Sequence, residues 1–296
     1  MRLQWIWRNG GMTIRSSTDL NLLPKQSSTK LLYGTWNQRQ KAIVTGGATG
    51  IGEAICVALA HEGVQVAFTT RNPDRIERTL TKLGGGEHGH YGVVSDITLE
   101  GEPRRVADRV LKEFGEPNII VNNVGDTLGI TDPLCPISDW RRVFRLNLEV
   151  HIEMNNCFIP LMQKRKWGRI VNISAGASME NSGPVPYCSI KAAYTAYTRS
   201  MGRVLAPDGI VMSAVLPGVV FTEDGHWAKV IKERPEHAEK YLAERTVLKR
   251  FGRPEEISPM VVLLCSELAS FCVGSIVPVD GGQARHYFHF DGVGNG

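Results

Sequence analysis

One stretch of the chain restricts its fold more than any other: Thr45-Gly46-Gly47-Ala48-Thr49-Gly50-Ile51-Gly52. A β-branched run, Ala42-Ile43-Val44, leads into it, and from Ile51 to His61 apolar residues recur at helical spacing until Gly63. Glycines between a strand and a helix allow a tight turn, close approach of backbone to pyrophosphate, and close packing of the helix on the strand. The helix N-terminus then offers free N–H groups and a partial positive charge to a phosphate. A strand–turn–helix unit built to hold a nucleotide phosphate is the expected structure here.

The rest of the chain repeats that alternation. Strands are expected at Val64-Gln65-Val66-Ala67-Phe68, Tyr91 to Val94, Asn118 to Val121, Arg169 to Ile173, Ile210 to Val215 and Ser275 to Val279. Helices are expected over Pro73 to Leu83, Glu102 to Phe114, Ser138 to Lys164, Tyr187 to Leu205 and Pro254 to Glu267. Strands alternating with helices imply parallel βαβ units, hence an α/β fold with one doubly wound, Rossmann-type sheet in three layers. No linker interrupts Lys41 to Gly282, so the expectation is a single domain over 41–282 with a charged helical lid near 222–250 and a tail at 283–296.

Residues 1–40 differ in kind. Six basic residues there face one acid, Asp19, and serines cluster at Ser16-Ser17 and Ser27-Ser28. Three readings stay open: a disordered tail, an extended gene start with Met12 as the initiator, or an organelle transit segment. Elsewhere the totals exclude broad classes. The formal net charge of +4 is too small and too dispersed for a nucleic-acid surface. No apolar run reaches the roughly 18–20 residues of a membrane helix. The six cysteines, Cys56, Cys135, Cys157, Cys188, Cys265 and Cys272, form no CxxC pair, so thiols in a reducing cytoplasm are expected, with no disulfide framework and no metal.

The end of the second strand distinguishes cofactors. An acid about 20 residues after the loop would bind the ribose diol of NAD, whereas an Arg favours the 2′-phosphate of NADP. The chain reads Thr69-Thr70-Arg71-Asn72 with no acid before Asp74, so NADP is expected, through Arg71, and NAD is the weaker alternative.

The chemistry centres on Tyr187 and Lys191, four apart and therefore on one helix face. A free phenol has a pKa near 10, and a neighbouring ammonium lowers it, which makes the pair a usable acid–base group. Ser174 ends the strand Ile170 to Ile173, Asn147 lies in the long helix, and Asn122-Asn123-Val124-Gly125 ends the fourth strand on the edge that carries the glycine loop.

Taken in order, these residues resemble the short-chain dehydrogenase/reductase family, its 3-oxoacyl-acyl-carrier-protein reductase-like members in particular, over roughly residues 41–282. Asp96, Pro217-Gly218 followed by Thr222, and Val279-Asp280-Gly281-Gly282 belong to the same set. The resemblance implies that Tyr187 gives the proton in reduction and Ser174 holds the substrate oxygen. Lys191 would bind the nicotinamide ribose and lower the Tyr187 pKa, while Asn147 would support a water linking Lys191 to solvent. Cofactor contacts would come from Gly46, Thr49, Gly50, Ile51, Gly52, Arg71, Asp96 at the adenine, Ile97, Asn123, Gly125, Tyr187, Lys191, Pro217, and Val220 with Thr222 at the carboxamide. It also implies a homotetramer, with Ser138–Lys164 and Tyr187–Leu205 as contact faces. Val124 departs from the family, which usually has Ala there. Plainer readings remain for Asn147 as a polar helix residue, Asp96 as a cap, and Cys188 as a packed thiol.

Substrate choice would lie in 126–136, 175–186 and the lid. The lid carries Lys229, Lys232, Arg234, His237, Lys240 and Arg245, which suits a small polar or acidic carbonyl or alcohol unless those charges simply face solvent. Two function classes follow: an oxidoreductase, or a dinucleotide-binding sensor or scaffold without chemistry. The presence of Ser174, Tyr187, Lys191 and Asn147 together favours the enzyme.

Overall fold

Seven strands run parallel in one sheet: β3 (Lys41–Val44), β4 (Gln65–Thr70), β5 (Tyr91–Val94), β6 (Ile119–Asn122), β7 (Gly168–Ile173), β8 (Ile210–Pro217) and β9 (Ile276–Val279). Their spatial order is β5-β4-β3-β6-β7-β8-β9. The chain therefore winds outward from β3 in one direction, returns to pair β6 with β3, and winds outward in the other. Ligand crevices open at such a reversal, outside the carboxyl ends of the strands. This computed structural model describes residues 4–8, 11–15, 40–85, 88–180 and 183–283.

Strand residues alternate between two apolar layers, as a period of two requires. Ala42 and Val44 face one side with Val66, Phe68, Val121 and Ile173, under α1 (Gly50–His61) and α10 (Pro254–Cys265). Ile43 faces the other with Val93, Ile120, Ile170 and Met212. That side is covered by α3 (Glu102–Glu113), α5 (Val150–Arg165) and α7 (Val185–Leu205). Helices on both faces of a parallel sheet give the three-layer, doubly wound architecture that the alternation implies. Prolines stand in the first turns of α3, α7 and α10, where the missing N–H costs nothing and the fixed φ suits the helix.

Two helices differ from their sequence patterns. The helix expected from Ser138 to Lys164 is α4 (Ile137–Phe144), a π turn over Arg145–Glu149, and then α5. Apolar spacing cannot register one extra residue in a turn, and such turns often sit at functional sites. The lid, read as one charged helical stretch, is α8 (His226–Glu233) and α9 (Pro235–Arg245), because Pro235 starts a new helix after Arg234. Its apolar faces meet in a small separate cluster of Val219, Val230, Ala238 and Phe251. A helix α2 (Arg75–Lys82) and a short α6 (Ala177–Glu180) complete the set of described α-helices.

Within the N-terminal extension, β1 (Gln4–Arg8) and β2 (Gly11–Arg15) pair antiparallel, with Trp5 opposite Ile14 and Trp7 opposite Met12. Reading the extension as a disordered tail does not anticipate this pairing. The signal for it was present, since Asn9-Gly10 between two β-rich runs is a strong hairpin sequence. The rest of that extension before Gln40, and the tail after Gln283, lie outside the described residues. Among the described residues, no helix is long and apolar enough to cross a membrane.

Candidate active site

The carboxyl ends of six strands deliver the expected residues to one cleft of about 1910 Å³. Thr45 to Gly52 follows β3, Arg71 follows β4, Asp96 and Ile97 follow β5, Asn123 to Gly125 follows β6, and Ser174 follows β7. Pro217 ends β8, with Val220 and Thr222 just beyond. All of these but Thr45 and Gly47 line the cleft, together with Tyr187 and Lys191 of α7. Asn147 does not; it is fully buried behind the wall.

The loop's glycines are set by close backbone approach. A Cβ on Gly52 would stand 2.2 Å from the Gly46 carbonyl oxygen and 2.5 Å from Asn123 Nδ2. One on Gly50, whose φ is +53°, would meet Thr222 Cγ2 at 2.9 Å. The loop is also tied from below. Thr69 Oγ1 accepts from Gly46 N at 3.0 Å, and Asn123 Nδ2 donates to Thr45 O at 3.0 Å. Thr45 Oγ1 in turn accepts from Asn123 N at 2.9 Å. Thr49 gives α1 no side-chain cap, so the first-turn N–H groups are left to a ligand. Val124 fills the space beneath the loop: its Cγ2 lies 2.9 Å from where a Gly46 Cβ would be. Together the bare backbone, the uncapped helix and the long cleft fit a dinucleotide.

At the far end, Arg71 is exposed on the cleft wall close enough to Asp96 to act on its charge. Burial works to raise the Asp96 pKa, yet hydrogen bonds from Thr98, with help from Arg71, hold its carboxyl below the ordinary value. Thr98 donates to Asp96 Oδ1 from its amide at 3.0 Å and from its hydroxyl at 2.6 Å. Asp96 thus caps the turn after β5, while Gly101 rather than Asp96 precedes α3.

The reacting end is assembled around α7. Lys191 is buried; its Nζ donates to Ile173 O at 3.1 Å and lies 5.7 Å from the Tyr187 ring centroid. Burial alone brings the Lys191 pKa down to about 7. The Tyr187 phenol is pushed up from its ordinary value, first by burial and then by the charge of Asp126 and by Cys188. This corrects the expectation that Lys191 lowers the phenol pKa. The ammonium sits over the ring face and is itself half neutralised near pH 7, so desolvation wins. Ser174 Oγ donates to Lys191 O at 3.3 Å, which ties the end of β7 to α7. Cys188 is packed and accepts from Gly183 N at 3.2 Å.

Asn147 sits in the π turn and clamps the next residue along from Gly125. Its Nδ2 donates to Asp126 O at 2.8 Å and to Val143 O at 3.0 Å, and its Oδ1 accepts from Asp126 N at 3.1 Å. A Cβ on Gly125 would lie 2.8 Å from Asn147 Oδ1 and 2.9 Å from Lys191 Nζ, so Gly125 lets three groups meet.

Sequence reasoning missed the layer beneath. His151 is fully buried, donates from Nε2 to Val124 O at 2.8 Å, and stacks on Tyr194 at 5.1 Å. Burial and the nearby Lys191 lower its pKa to about 3, so it is neutral and Nε2 carries the proton. Beside it Asn122 donates to Asn155 and to Asn172, both at 2.9 Å, and Tyr194 donates to Asn172 at 2.9 Å. Helical spacing would have placed His151 one turn after Asn147, but nothing marks which polar residues of a helix turn inward. Asp126 was read only as the start of the substrate loop 126–136; an acid directly after Asn122-Asn123-Val124-Gly125 was the signal that could have singled it out.

A family model described as enoyl-(acyl carrier protein) reductase matches residues 46–284. The 3-oxoacyl-[acyl-carrier-protein] reductase of Aquifex aeolicus is 33% identical over 249 residues, covering 83% of this chain and 98% of that protein. The 7alpha-hydroxysteroid dehydrogenase of Escherichia coli is 31% identical over 248 residues, covering 82% and 94%. Among solved structures, L-sorbose reductase from Gluconobacter frateurii, complexed with NADPH and L-sorbose, superposes with a TM-score of 0.77 at 26% identity, covering 84% and 98%. Match and geometry agree: the chain belongs to the short-chain dehydrogenase/reductase family.

Proposed function

We propose that this protein is an NADP(H)-dependent oxidoreductase that acts on the carbonyl or secondary alcohol of a small polar substrate. The observation that carries the reading is the convergence of Ser174, Tyr187 and Lys191 with the glycine cradle on one cleft. The cofactor, when bound, supplies or takes up the hydride. Gly46, Thr49, Gly50, Ile51 and Gly52 hold its pyrophosphate. Asp96 and Ile97 lie at the adenine, Asn123 and Gly125 along the chain to the ribose, and Pro217, Val220 and Thr222 at the nicotinamide. Arg71 pairs with the 2′-phosphate, and the absence of an acid before Asp74 removes the ribose partner that NAD needs. The relatives agree in part: L-sorbose reductase was solved with NADPH.

Tyr187 gives its proton to the substrate oxygen as negative charge grows there. A phenol held above its ordinary pKa is fully protonated at neutral pH, which suits the reduction direction. Ser174 donates a hydrogen bond to the same oxygen. Lys191, near pH 7 in both charge states, returns the proton to Tyr187, and Asn147 shapes the Gly125–Asp126 backbone beside it. The sensor alternative has no observation in its favour, since every group the chemistry needs is in place.

The relatives act on an acyl-carrier-protein thioester, a steroid and a sugar, so they leave the substrate open. An acidic substrate was suggested by the lid's cations. Of that set only Lys229 lines the cleft, while Lys232, Arg234, Lys240 and Arg245 face solvent. The decisive experiment is a panel of ketones with NADPH and of alcohols with NADP, read at the nicotinamide absorbance band. Turnover of at least one pair is expected; none with any substrate rejects the reading.

A homotetramer in a reducing cytoplasm completes the proposal. Phe144 at the end of α4 and Val204 on α7, within the two expected contact segments, are exposed, and so is Phe271 at 99%. All six cysteines are free. Light scattering at micromolar concentration should return four times the chain mass of 32.7 kDa.

A further inference from the structure

Asp126 is an acid at the reacting end of the cleft that the proposed reaction does not use. Its position is fixed by backbone: Asn147, fully buried, holds the Asp126 N–H at 3.1 Å and its carbonyl at 2.8 Å. Gly125 before it packs against Asn147 and Lys191. Leu128, two residues on, has a φ of 56°, an uncommon conformation for a leucine that the surrounding loop must maintain. Asp126 is exposed and lines the cleft that Ser174 and Tyr187 also line. Its charge reaches the Tyr187 phenol and raises it. Its carboxylate accepts from the Thr127 hydroxyl at a long 3.4 Å and makes no ion pair among the described residues.

An unpaired carboxylate on so firmly held a backbone, within electrostatic reach of the reacting phenol, is a selective element. It accepts hydrogen bonds and donates none while ionised. It attracts a cation or a hydroxyl on the substrate and repels an anion, and a fixed like charge is an efficient way to reject a wrong partner. At the reacting end the cleft's own cation is Lys191, buried and near half charge at pH 7, whereas Arg71, Arg75 and Arg78 follow β4, and Arg75 is already paired with Asp224 at 2.8 Å. We propose that Asp126 is a specificity-determining residue that selects carbonyl compounds bearing a hydrogen-bond donor, hydroxyl or ammonium, on the carbon beside the carbonyl, and rejects those bearing a carboxylate there. This rests on the oxidoreductase reading and narrows its polar substrate to one class.

Four methyl ketones that differ in a single substituent test it: aminoacetone, hydroxyacetone, butanone and acetoacetate. Each is given to the full-length protein with saturating NADPH, and both kcat/KM and calorimetric binding to the NADPH complex are measured. The wild type should favour aminoacetone and hydroxyacetone over butanone by about tenfold or more, with acetoacetate last. Asp126→Asn, an exposed and nearly isosteric change, should cut the aminoacetone preference and improve acetoacetate by about tenfold, while Asp126→Ala should also lose the hydroxyacetone preference. Equal treatment of acetoacetate and hydroxyacetone by the wild type overturns the inference, and so does an unchanged ratio in Asp126→Asn. The binding arm separates the two claims. The expected binding order without any turnover defeats the oxidoreductase reading and upholds the selectivity, whereas turnover with no binding order defeats the selectivity alone.

Discussion

At the glycine-loop end of the cleft backbone meets backbone, whereas at the lid end side chain meets side chain. The Gly46 carbonyl leaves no room for a Cβ on Gly52, and Thr69 and Asn123 tie the loop by hydrogen bonds to main-chain atoms. The lid instead rests on Trp227, 4.5 Å from the Tyr241 ring and 5.1 Å from Phe251, and on ion pairs of Arg75 with Asp224 and Arg250 with Glu256. A main-chain contact admits one residue type and so leaves a motif in the sequence. A side-chain cluster can be filled by many combinations of similar volume and leaves none. Tyr187 and Lys191 stand between these ends.

The sharpest break in the comparison comes at that boundary. Tyr187→Phe removes one hydroxyl and leaves both ends intact, so turnover should fall by about 10²–10⁴. Fluorescence titration should show NADPH binding unchanged. Near-normal turnover would mean that another group moves the proton. In the oxidation direction Tyr187 must first lose its proton, and its pKa is raised, so the wild-type rate should climb with pH well into the alkaline range.

Gly52→Ala attacks the backbone end. Overpacking of about 1–3 kcal/mol has no flexible side chain to absorb it, so NADPH affinity should drop by roughly 10–100-fold. Arg71→Ala, a side-chain change at the same end, should cost about 1.5 kcal/mol of charge-assisted pairing. That raises the NADPH Michaelis constant roughly tenfold and leaves NADH untouched. A lid change should do less: Trp227→Ala should raise the ketone Michaelis constant a few-fold with little effect on NADPH affinity. If the lid variant hurt NADPH binding as much as Gly52→Ala, the contrast between the ends would fail.

The same contrast explains how much could be read from sequence. The doubly wound sheet, the cradle and the residues that close on it follow from glycine placement, β-branched runs alternating with helical ones, and the chemistry of the strand ends. Asn147 was legible as a residue but its location in a π turn was not, because one inserted residue leaves the apolar spacing of α4 and α5 almost unaltered. His151, Asn155 and Tyr194 were invisible for another reason. Each is an ordinary polar residue in a helix until the sheet brings Asn122 and Asn172 against it. The sign of the Tyr187 shift was misread because sequence spacing places the ammonium near the ring but says nothing of the desolvation both groups undergo.

That desolvation leaves a mark on stability, and its sign can be worked out for Lys191. Unfolded, the amine titrates near 10.5; folded, near 7. Between those values the unfolded chain binds more protons, so stability rises with pH. Below pH 7 the amine is charged in both states and the full cost of burying it is present; by pH 10 the folded amine is neutral and most of that cost is gone. Lys191→Met keeps the length of the side chain and removes the charge. It loses the bond to Ile173 O, about 1 kcal/mol, but escapes a burial cost on the order of a few kcal/mol. The cofactor-free variant should therefore melt about 5 °C above the wild type at pH 6, with the difference shrinking toward zero or reversing at pH 10, although turnover is lost. A variant destabilised equally at both pH values would show that Lys191 is held charged by a partner at the cradle end, and the two ends would then be electrostatically one.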